Sequence, residues 1–235
     1  ADGTRVGLEH GGNAPAIVAA DADLQKTAQI CLPGGYYHAG QVCVSVQRLY
    51  LHRSIADQFI DIYKPMVESL IVGDPTLPET GVGPLIRPRE VERVKSWVDA
   101  AVAGGAEIVT GGEVLEHNCF QPTLLKNVQE GMDVVDKEVF GPVVSVFVYD
   151  DIEEAVAGAN AGPNGFQAAV FTQDINTGLH AAKKLDFSAV MLNDSTAFRV
   201  DWMPFGGRNS SGFGMGGVKY SIEEMTQLKL IVLNL

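Results

Sequence analysis

Segments that favour strands alternate with segments that favour helices through most of this 235-residue chain. Short apolar runs bounded by turn residues indicate strands, and longer runs with apolar residues three and four apart indicate helices. We predict strands at residues 44–52, 107–110, 143–149, 167–172 and 189–193, and a segment at residues 122–125 precedes the third of these. We predict helices at residues 21–37, 54–70, 89–103, 152–160 and 176–185. This alternation predicts an α/β fold of three layers with a largely parallel sheet.

The sequence also predicts how the first helix begins and what the last residues form. Asp21 or Asp23 suits the N-cap of the first helix. At the other end of the sequence, residues 221–225 predict a short helical turn and residues 228–235 predict a strand that is apolar on both faces. Such a strand would leave backbone groups unpaired in a single chain, so we expect it to pair with another chain.

The composition excludes several classes of protein. A hydrophobic content of 46% with 20% charged residues is typical of a globular enzyme and not of a disordered chain. The net charge of −12 argues against binding to nucleic acid or to an anionic membrane surface, because both are negatively charged. No apolar run approaches the roughly 18 residues of a membrane helix, and no secretion signal is visible, so we expect a cytoplasmic protein.

The cysteines give a second constraint. Cys31, Cys43 and Cys119 are an odd number and show no CxxC spacing. They therefore predict neither a disulfide framework nor a zinc site, and we expect no bound metal. At most one of the three thiols requires a functional explanation.

Two runs carry side chains that suit chemistry on a carbonyl group. Cys43 follows Gly40-Gln41, where the backbone can turn sharply and present the sulfur at a surface. Glu9 lies beside Gly11-Gly12, which gives a carboxylate base room to move. A thiol nucleophile and a carboxylate base together can perform acyl transfer. Taken alone, each has a commoner explanation: a buried cysteine at the start of a strand, and a solvated glutamate near a chain end.

A third run, residues 137–142 (KEVFGP), suits a nucleoside ligand. The carboxylate of Glu138 is a natural receptor for a cis-diol, and the ring of Phe140 suits a flat ligand ring. The alternative is a turn that leads into a strand, which explains Gly141 and Pro142 but not the glutamate.

In chain order, the runs EHGGNAP (9–15), HAGQVC (38–43), KEVFGP (137–142) and PFGGR (204–208) resemble the aldehyde dehydrogenase superfamily, and only its carboxyl-terminal half. The resemblance covers residues 8–235. It implies three parts: the end of an otherwise missing nucleotide-binding domain (1–9), a catalytic α/β domain (10–222) and a strand that joins a neighbouring subunit (223–235). It also implies a homodimer or homotetramer.

The resemblance implies the oxidation of a small-molecule aldehyde to a carboxylic acid with NAD or NADP. Cys43 would attack the aldehyde to give a thiohemiacetal and then a thioester, which water activated by Glu9 would cleave. The backbone N–H of Cys43 and an asparagine of the missing half would hold the oxyanion. Since the adenosine and pyrophosphate pocket also belongs to that half, we expect this fragment alone to bind the cofactor poorly and to be inactive as a dehydrogenase.

The resemblance also assigns the remaining candidate residues. Those expected at the cofactor are Glu138 on the ribose hydroxyls, Phe140 near the ring, His10 and Gly11. Those expected in the substrate funnel are Gln41, Val44, Arg199 and Phe205. The chain departs from the family at His10, Lys137 and Met215-Gly216, where leucine, an acid and an arginine–glutamate pair are usual.

Arg199 bears on the choice of substrate. A guanidinium near the funnel would hold an anionic tail such as carboxylate, phosphonate or sulfonate, and the alternative is an ion pair with Asp194 or Asp201. The runs GQVCVSVQR (40–48) and FRVD (198–201), with the end of the chain, resemble the lactaldehyde, phosphonoacetaldehyde and sulfoacetaldehyde dehydrogenase branch.

Two phosphate-binding patterns are rejected. Residues 212–217 satisfy GxGxxG but follow a polar loop instead of a strand, and residues 207–212 have P-loop glycine spacing with Phe213 at the lysine position. Two other functions stay open. One is a cysteine-dependent esterase or hydrolase with His38 or His10 as the base, and the other is a non-catalytic assembly fragment.

Overall fold

The computed structural model of this protein describes Gly3 and residues 5–235. Its strands are β1 (Leu8–Glu9), β2 (Ala14–Val18), β3 (Val46–His52), β4 (Glu107–Thr110), β5 (Thr123–Lys126), β6 (Val143–Tyr149), β7 (Asn164–Gly165), β8 (Gln167–Phe171), β9 (Ala189–Leu192), β10 (Arg208–Asn209) and β11 (Gly212–Phe213). Its α-helices are α1 (Leu24–Tyr36), α2 (Ala56–Glu68), α3 (Pro88–Ala103), α4 (Asp133–Asp136), α5 (Ile152–Asn160), α6 (Ile175–Lys184) and α7 (Val218–Met225). The predicted alternation of strands and helices is confirmed.

Seven strands form the central sheet, in the order β4-β5-β6-β3-β2-β8-β9. Neighbouring strands run parallel except at one edge, where β4 is antiparallel to β5. The prediction missed β2, although it lies inside the sheet and all five of its residues are buried. Pro15 explains the miss, because proline is rare inside a central strand. The register with β3 shifts between Ala14 and Pro15.

Helices cover both faces of this sheet. On one face α1, α2 and α3 contribute residues such as Cys31, Phe59 and Val94 to the larger core. On the other face α5 and α6 contribute Val156 and Ala181 to a smaller core. The structure therefore has the three layers that the sequence predicts.

A tight turn after α1 carries the chain to Cys43. Asp23 is the N-cap of α1 and accepts a hydrogen bond from the backbone N–H of Lys26 at 3.0 Å, which confirms one of the two predicted caps. A 3₁₀ turn (Tyr37–Gly40) follows the helix, and Gly40 has a φ of +70°. A Cβ on Gly40 would lie 2.1 Å from the carbonyl oxygen of Gly141, so glycine is required there.

The predicted strand at residues 228–235 is not formed in the single chain, where residues 226–235 have no regular secondary structure. Its apolar side chains from Leu228 to Leu235 are each at least 70% exposed. A strand needs a neighbour to pair with, and within the described chain this segment has none. The helical segment before it begins earlier than predicted, at Val218.

The described residues contain neither a membrane-spanning helix nor a metal-binding cluster. No helix in this part of the chain is long and apolar enough to cross a membrane. Among the same residues, no group of three or more histidine, cysteine, aspartate or glutamate side chains is placed to hold a metal ion.

Candidate active site

The segments that precede four parallel strands meet at the amino-terminal edge of the sheet. Gly12 precedes β2, Cys43 precedes β3, Gly141 precedes β6 and Phe166 precedes β8. Close backbone approaches join them, since Gly12 contacts both Cys43 and Phe166, and Gly40 next to Cys43 contacts Gly141. Ligands of open parallel sheets usually bind at the opposite, carboxyl-terminal edge.

Gly12 fixes the distance between the Glu9 segment and the Cys43 segment. A Cβ on Gly12 would lie 2.0 Å from the carbonyl oxygen of Cys43 and 3.5 Å from the Cβ of Phe166. Only a glycine allows this approach. The glycine pair that the sequence associates with Glu9 is therefore also the contact surface for the backbone of the thiol.

The Cys43 thiol lies among three charged side chains from distant parts of the sequence. Burial raises its pKa most, and the carboxylates of Glu9 and Glu138 raise it further. A hydrogen bond with its own backbone and the positive charge of Arg199 lower it. The net effect is a raised pKa, so the thiol is protonated near neutral pH and requires a base to react as thiolate.

Glu9 is held by a small sheet and not by a helix. In β1, Glu9 lies opposite Gly212 of β11, and a Cβ on Gly212 would lie 2.3 Å from the carbonyl oxygen of Leu8. The next residue, His10, donates its backbone N–H to the carbonyl oxygen of Ser211 at 2.9 Å. The glycine-rich run that was rejected as a phosphate site thus positions the strand of Glu9, whose side chain is exposed.

Glu138 packs against the glycine pair. Its Oε1 accepts a hydrogen bond from the backbone N–H of Gly12 at 2.8 Å, and a Cβ on Gly11 would lie 2.0 Å from its Oε2. Burial raises the pKa of Glu138, and the Gly12 hydrogen bond and the charge of Arg93 oppose this. Phe140, two residues on, is 41% exposed and has a φ of +46°, so its ring stands at the surface.

An aromatic column supports Arg199. The guanidinium carbon of Arg199 lies 3.9 Å from the centroid of the Phe205 ring, a cation–π contact. Phe205 meets Phe166 edge to face with the ring centroids 4.8 Å apart. In the described part of the chain, Arg199 forms no ion pair with Asp194 or Asp201, the alternative that the sequence left open.

The remaining funnel candidates support the backbone. The side-chain amide of Gln41 donates to the carbonyl oxygens of His38 and Pro84, at 3.0 and 3.3 Å, and accepts from the N–H of Ile86 at 2.9 Å. Val44 is buried, and its carbonyl oxygen accepts from the hydroxyl of Thr196 at 2.6 Å. Their contact with substrate stays a prediction.

Two aromatic residues at the site were missed by the sequence reasoning. Phe166 belongs to no motif and is recognisable only from its contacts. Tyr37 is half-buried, and burial together with the nearby Cys43 raises its pKa to about 12. Its position six residues before the thiol, at the start of the turn that leads there, was the available signal. His38, one of the two histidines considered as a base, is exposed, and its ring lies 5.1 Å from that of Tyr37 between centroids.

Comparison with known proteins gives one family. The family model described as "Aldehyde dehydrogenase family" matches residues 1–231. Over 231 residues the chain is 44% identical to a 3-sulfolactaldehyde dehydrogenase from Priestia megaterium, covering 98% of this chain and 48% of that protein. Over 230 residues it is 36% identical to a lactaldehyde dehydrogenase from Methanococcus aeolicus, covering 98% of this chain and 49% of that protein.

A solved structure agrees with these matches. The glyceraldehyde-3-phosphate dehydrogenase of Methanocaldococcus jannaschii, complexed with NADP, superposes with a TM-score of 0.92 at 40% identity. The superposition covers 96% of this chain and 49% of that one. The chain therefore spans about half the length of the relatives that it matches.

Proposed function

This chain belongs to the aldehyde dehydrogenase family, and we propose that it carries the nucleophile and the base of an NAD(P)-dependent aldehyde dehydrogenase. The observation that carries the proposal is the environment of Cys43. Its thiol is half-buried between the carboxylates of Glu9 and Glu138 and the guanidinium of Arg199. These are four of the residues that the motifs select, and the fold brings them to one place.

The residues of the chain account for acyl transfer. The raised pKa of Cys43 means that a base must take its proton, and the Glu9 carboxylate is the nearby acceptor. The thiolate then bonds to the aldehyde carbon, and the backbone N–H of Cys43 donates to the oxygen that becomes negative. After oxidation the acyl group stays on sulfur as a thioester. Once Glu9 has released the first proton to solvent, it takes a proton from water. The resulting hydroxide adds to the thioester carbonyl, and the C–S bond breaks to release the acid and the Cys43 thiolate.

The residues present fit the nicotinamide ribose end of the cofactor. Glu138 offers a half-buried carboxylate whose position Gly12 fixes, which suits a ribose diol, and Phe140 offers a partly exposed ring. The bound cofactor would accept the hydride that aldehyde oxidation releases. Gly11 lies against this carboxylate, and His10 comes directly before it, after the end of β1.

We propose an aldehyde with an anionic tail as substrate. Arg199 is exposed, stacked on Phe205 and close enough to Cys43 to influence the thiol. A guanidinium in this position can pair with a sulfonate, phosphate or carboxylate while the aldehyde carbon lies at the sulfur. Two of the similar proteins are named as dehydrogenases of 3-sulfolactaldehyde and of glyceraldehyde-3-phosphate, which are aldehydes of this kind.

The test is a fusion of this chain to the part of the Priestia megaterium protein that the chain does not match. Reduction of NAD or NADP is followed with 3-sulfolactaldehyde and lactaldehyde as substrates. We expect activity that Cys43→Ser abolishes, because serine is a far weaker nucleophile without a strong base. Cys119→Ser is the matched control, since Cys119 is buried elsewhere in the fold and should keep full activity.

Oxidation that survives Cys43→Ser would contradict the proposed nucleophile. The hydrolase alternative makes a separate prediction, namely that the chain alone hydrolyses an activated ester at a rate that depends on His38 or His10. His38→Gln and His10→Gln decide between the two, because the proposed mechanism uses neither imidazole.

A further inference from the structure

Gln47 lies on β3, four residues after Cys43, and belongs to none of the motifs. It is 5% exposed, which is unusual for a polar side chain without a buried partner. Its amide makes three hydrogen bonds, all to one segment about 90 residues further along the chain. A buried side chain that directs both of its donors and its acceptor oxygen to one distant segment holds that segment in place.

The three bonds hold the backbone before and after Glu138. The amide nitrogen of Gln47 donates to the carbonyl oxygen of Lys137 at 2.6 Å and to that of Val134 at 3.2 Å. Its amide oxygen accepts from the backbone N–H of Val139 at 2.8 Å. The peptide groups immediately before and after Glu138 are therefore both bonded to the same side chain.

The segment needs such support because it has little structure of its own. The four-residue helix α4 ends at Asp136, and no regular element follows before β6 begins at Val143. Phe140 lies in the left-handed region with a φ of +46°, a conformation that costs energy for a side chain of this size. Arg93 adds one further bond, from Nη2 to the carbonyl oxygen of Val139 at 2.7 Å.

Among residues 5–235, the carboxylate of Glu138 has one hydrogen bond of its own, from the backbone N–H of Gly12. Its position against Gly11 and Gly12 therefore depends on the backbone that carries it. We infer that Gln47 is a positioning residue for Glu138: it sets the distance of that carboxylate from the Cys43 thiol and from the glycine pair. The inference rests on the proposed function for the role of Glu138 toward the cofactor, but its test requires no cofactor.

The test measures the pH dependence of iodoacetamide alkylation of Cys43 in the full 235-residue chain. The groups that face the thiol are Glu9, Glu138, Arg199 and the hydroxyl of Tyr37. Glu138→Gln removes one negative charge, so the midpoint of alkylation should move to lower pH. Gln47→Met removes the three bonds at similar side-chain length and should move the midpoint in the same direction. The double variant should move it no further than Glu138→Gln, because both act through one carboxylate.

Gln167→Met is the matched control. Gln167 is a buried glutamine on β8, which β2 separates from β3 in the sheet, and its amide oxygen has no partner in the described chain. We expect it to leave the midpoint unchanged, whatever it does to the urea unfolding midpoint. Amide hydrogen exchange gives a second readout: the Val139 N–H should exchange faster in Gln47→Met than in Gln167→Met at matched stability. If Gln47→Met does not fold, Gln47→Asn, which keeps an amide but withdraws it by one methylene, carries the same comparison.

A wild-type alkylation midpoint in folded Gln47→Met, beside a shifted one in Glu138→Gln, would overturn the inference. An unshifted midpoint in Glu138→Gln would overturn it as well, because the thiol would then not sense the position of Glu138. Failure of the proposed function is a different result, namely no aldehyde-dependent cofactor reduction in the fusion, and it leaves the alkylation comparison intact.

Discussion

Replacing Gly12 with alanine is the sharpest test of how the site is built. The new Cβ would lie 2.0 Å from the carbonyl oxygen of Cys43, whereas ordinary contact begins at 3.4 Å. The two backbones must therefore separate by roughly 1.4 Å. Cys43 cannot easily yield, because Gly40 beside it already contacts the carbonyl oxygen of Gly141. The displacement therefore falls on the junction between the thiol and the segment of Glu9.

Two effects of different size follow. Overpacking of this kind typically costs about 1–3 kcal/mol of unfolding free energy, which urea denaturation measures. A misplacement of about 1 Å between reacting groups can cost roughly 100-fold in rate. We expect Gly12→Ala to reduce the acylation rate of Cys43 by p-nitrophenyl acetate by that order, with release of nitrophenolate as the readout. The assay uses the chain without cofactor.

Gly73→Ala is the control. A Cβ at Gly73 meets no heavy atom within 4 Å, and its φ lies outside the left-handed region. It should keep the acylation rate and gain up to about 1 kcal/mol of stability through the unfolded chain. If Gly12→Ala matches Gly73→Ala in both rate and stability, the close approach at Gly12 does not organise the site.

Three further predictions concern charge and assembly. Glu9→Gln should shift the alkylation midpoint of Cys43 to lower pH, because one of the charges that raise the pKa of Cys43 is gone. It should also slow release of the acyl group by roughly 10²–10⁴-fold, since the base is lost. Deacylation at the wild-type rate, followed after the nitrophenolate burst, would exclude Glu9 as base. In the fusion, Arg199→Met should lower kcat/KM for 3-sulfolactaldehyde by roughly 10–100-fold, as expected for a lost charged hydrogen bond, and should leave kcat/KM for lactaldehyde unchanged. Equal losses of kcat/KM for the two substrates would refute an anion-binding role. By light scattering, the full chain should be a dimer or tetramer, and a chain that ends at Gln227 should be a folded monomer. The reason is that residues 228–235 expose an apolar segment without a partner in the described chain. A monodisperse monomer with the segment present would contradict this.

The fold was predictable where the pattern is local. Most strands and helices from Val46 to Leu192 follow from apolar periodicity, caps and glycine breaks, with the observed ends within three residues of the predicted ones, whereas the short elements β5, α4 and β7 were not predicted. The strand β2 was not predictable in this way, because Pro15 argues against a central strand and only the neighbours β3 and β8 make it one. The strand predicted at residues 228–235 is absent for the opposite reason, since the sequence pattern favours a strand but pairing requires a partner.

The site was predictable where a residue belongs to a motif and unpredictable where it supports one. Cys43, Glu9, Glu138 and Arg199 stand out by their chemistry and their neighbours in sequence, and the fold brings their charges together. Gln47 does not stand out, because its importance lies in hydrogen bonds to residues about 90 positions away.

The position of the site at the amino-terminal edge follows from these contacts and not from general rules for parallel sheets. At the carboxyl-terminal edge a cavity of about 330 Å³ lies between α1 and α6. There the carboxylate of Asp21 accepts from the hydroxyl of Thr172 and from the backbone N–H groups of Gln173 and Asp174, at 2.7 to 2.9 Å. Asp21 thus uses these donors within the fold. At the edge where ligands of parallel sheets usually bind, its carboxylate holds the backbone that leads into α6. At the amino-terminal edge the charges of Glu9, Glu138 and Arg199 all act on the Cys43 thiol, which groups these side chains around the proposed nucleophile.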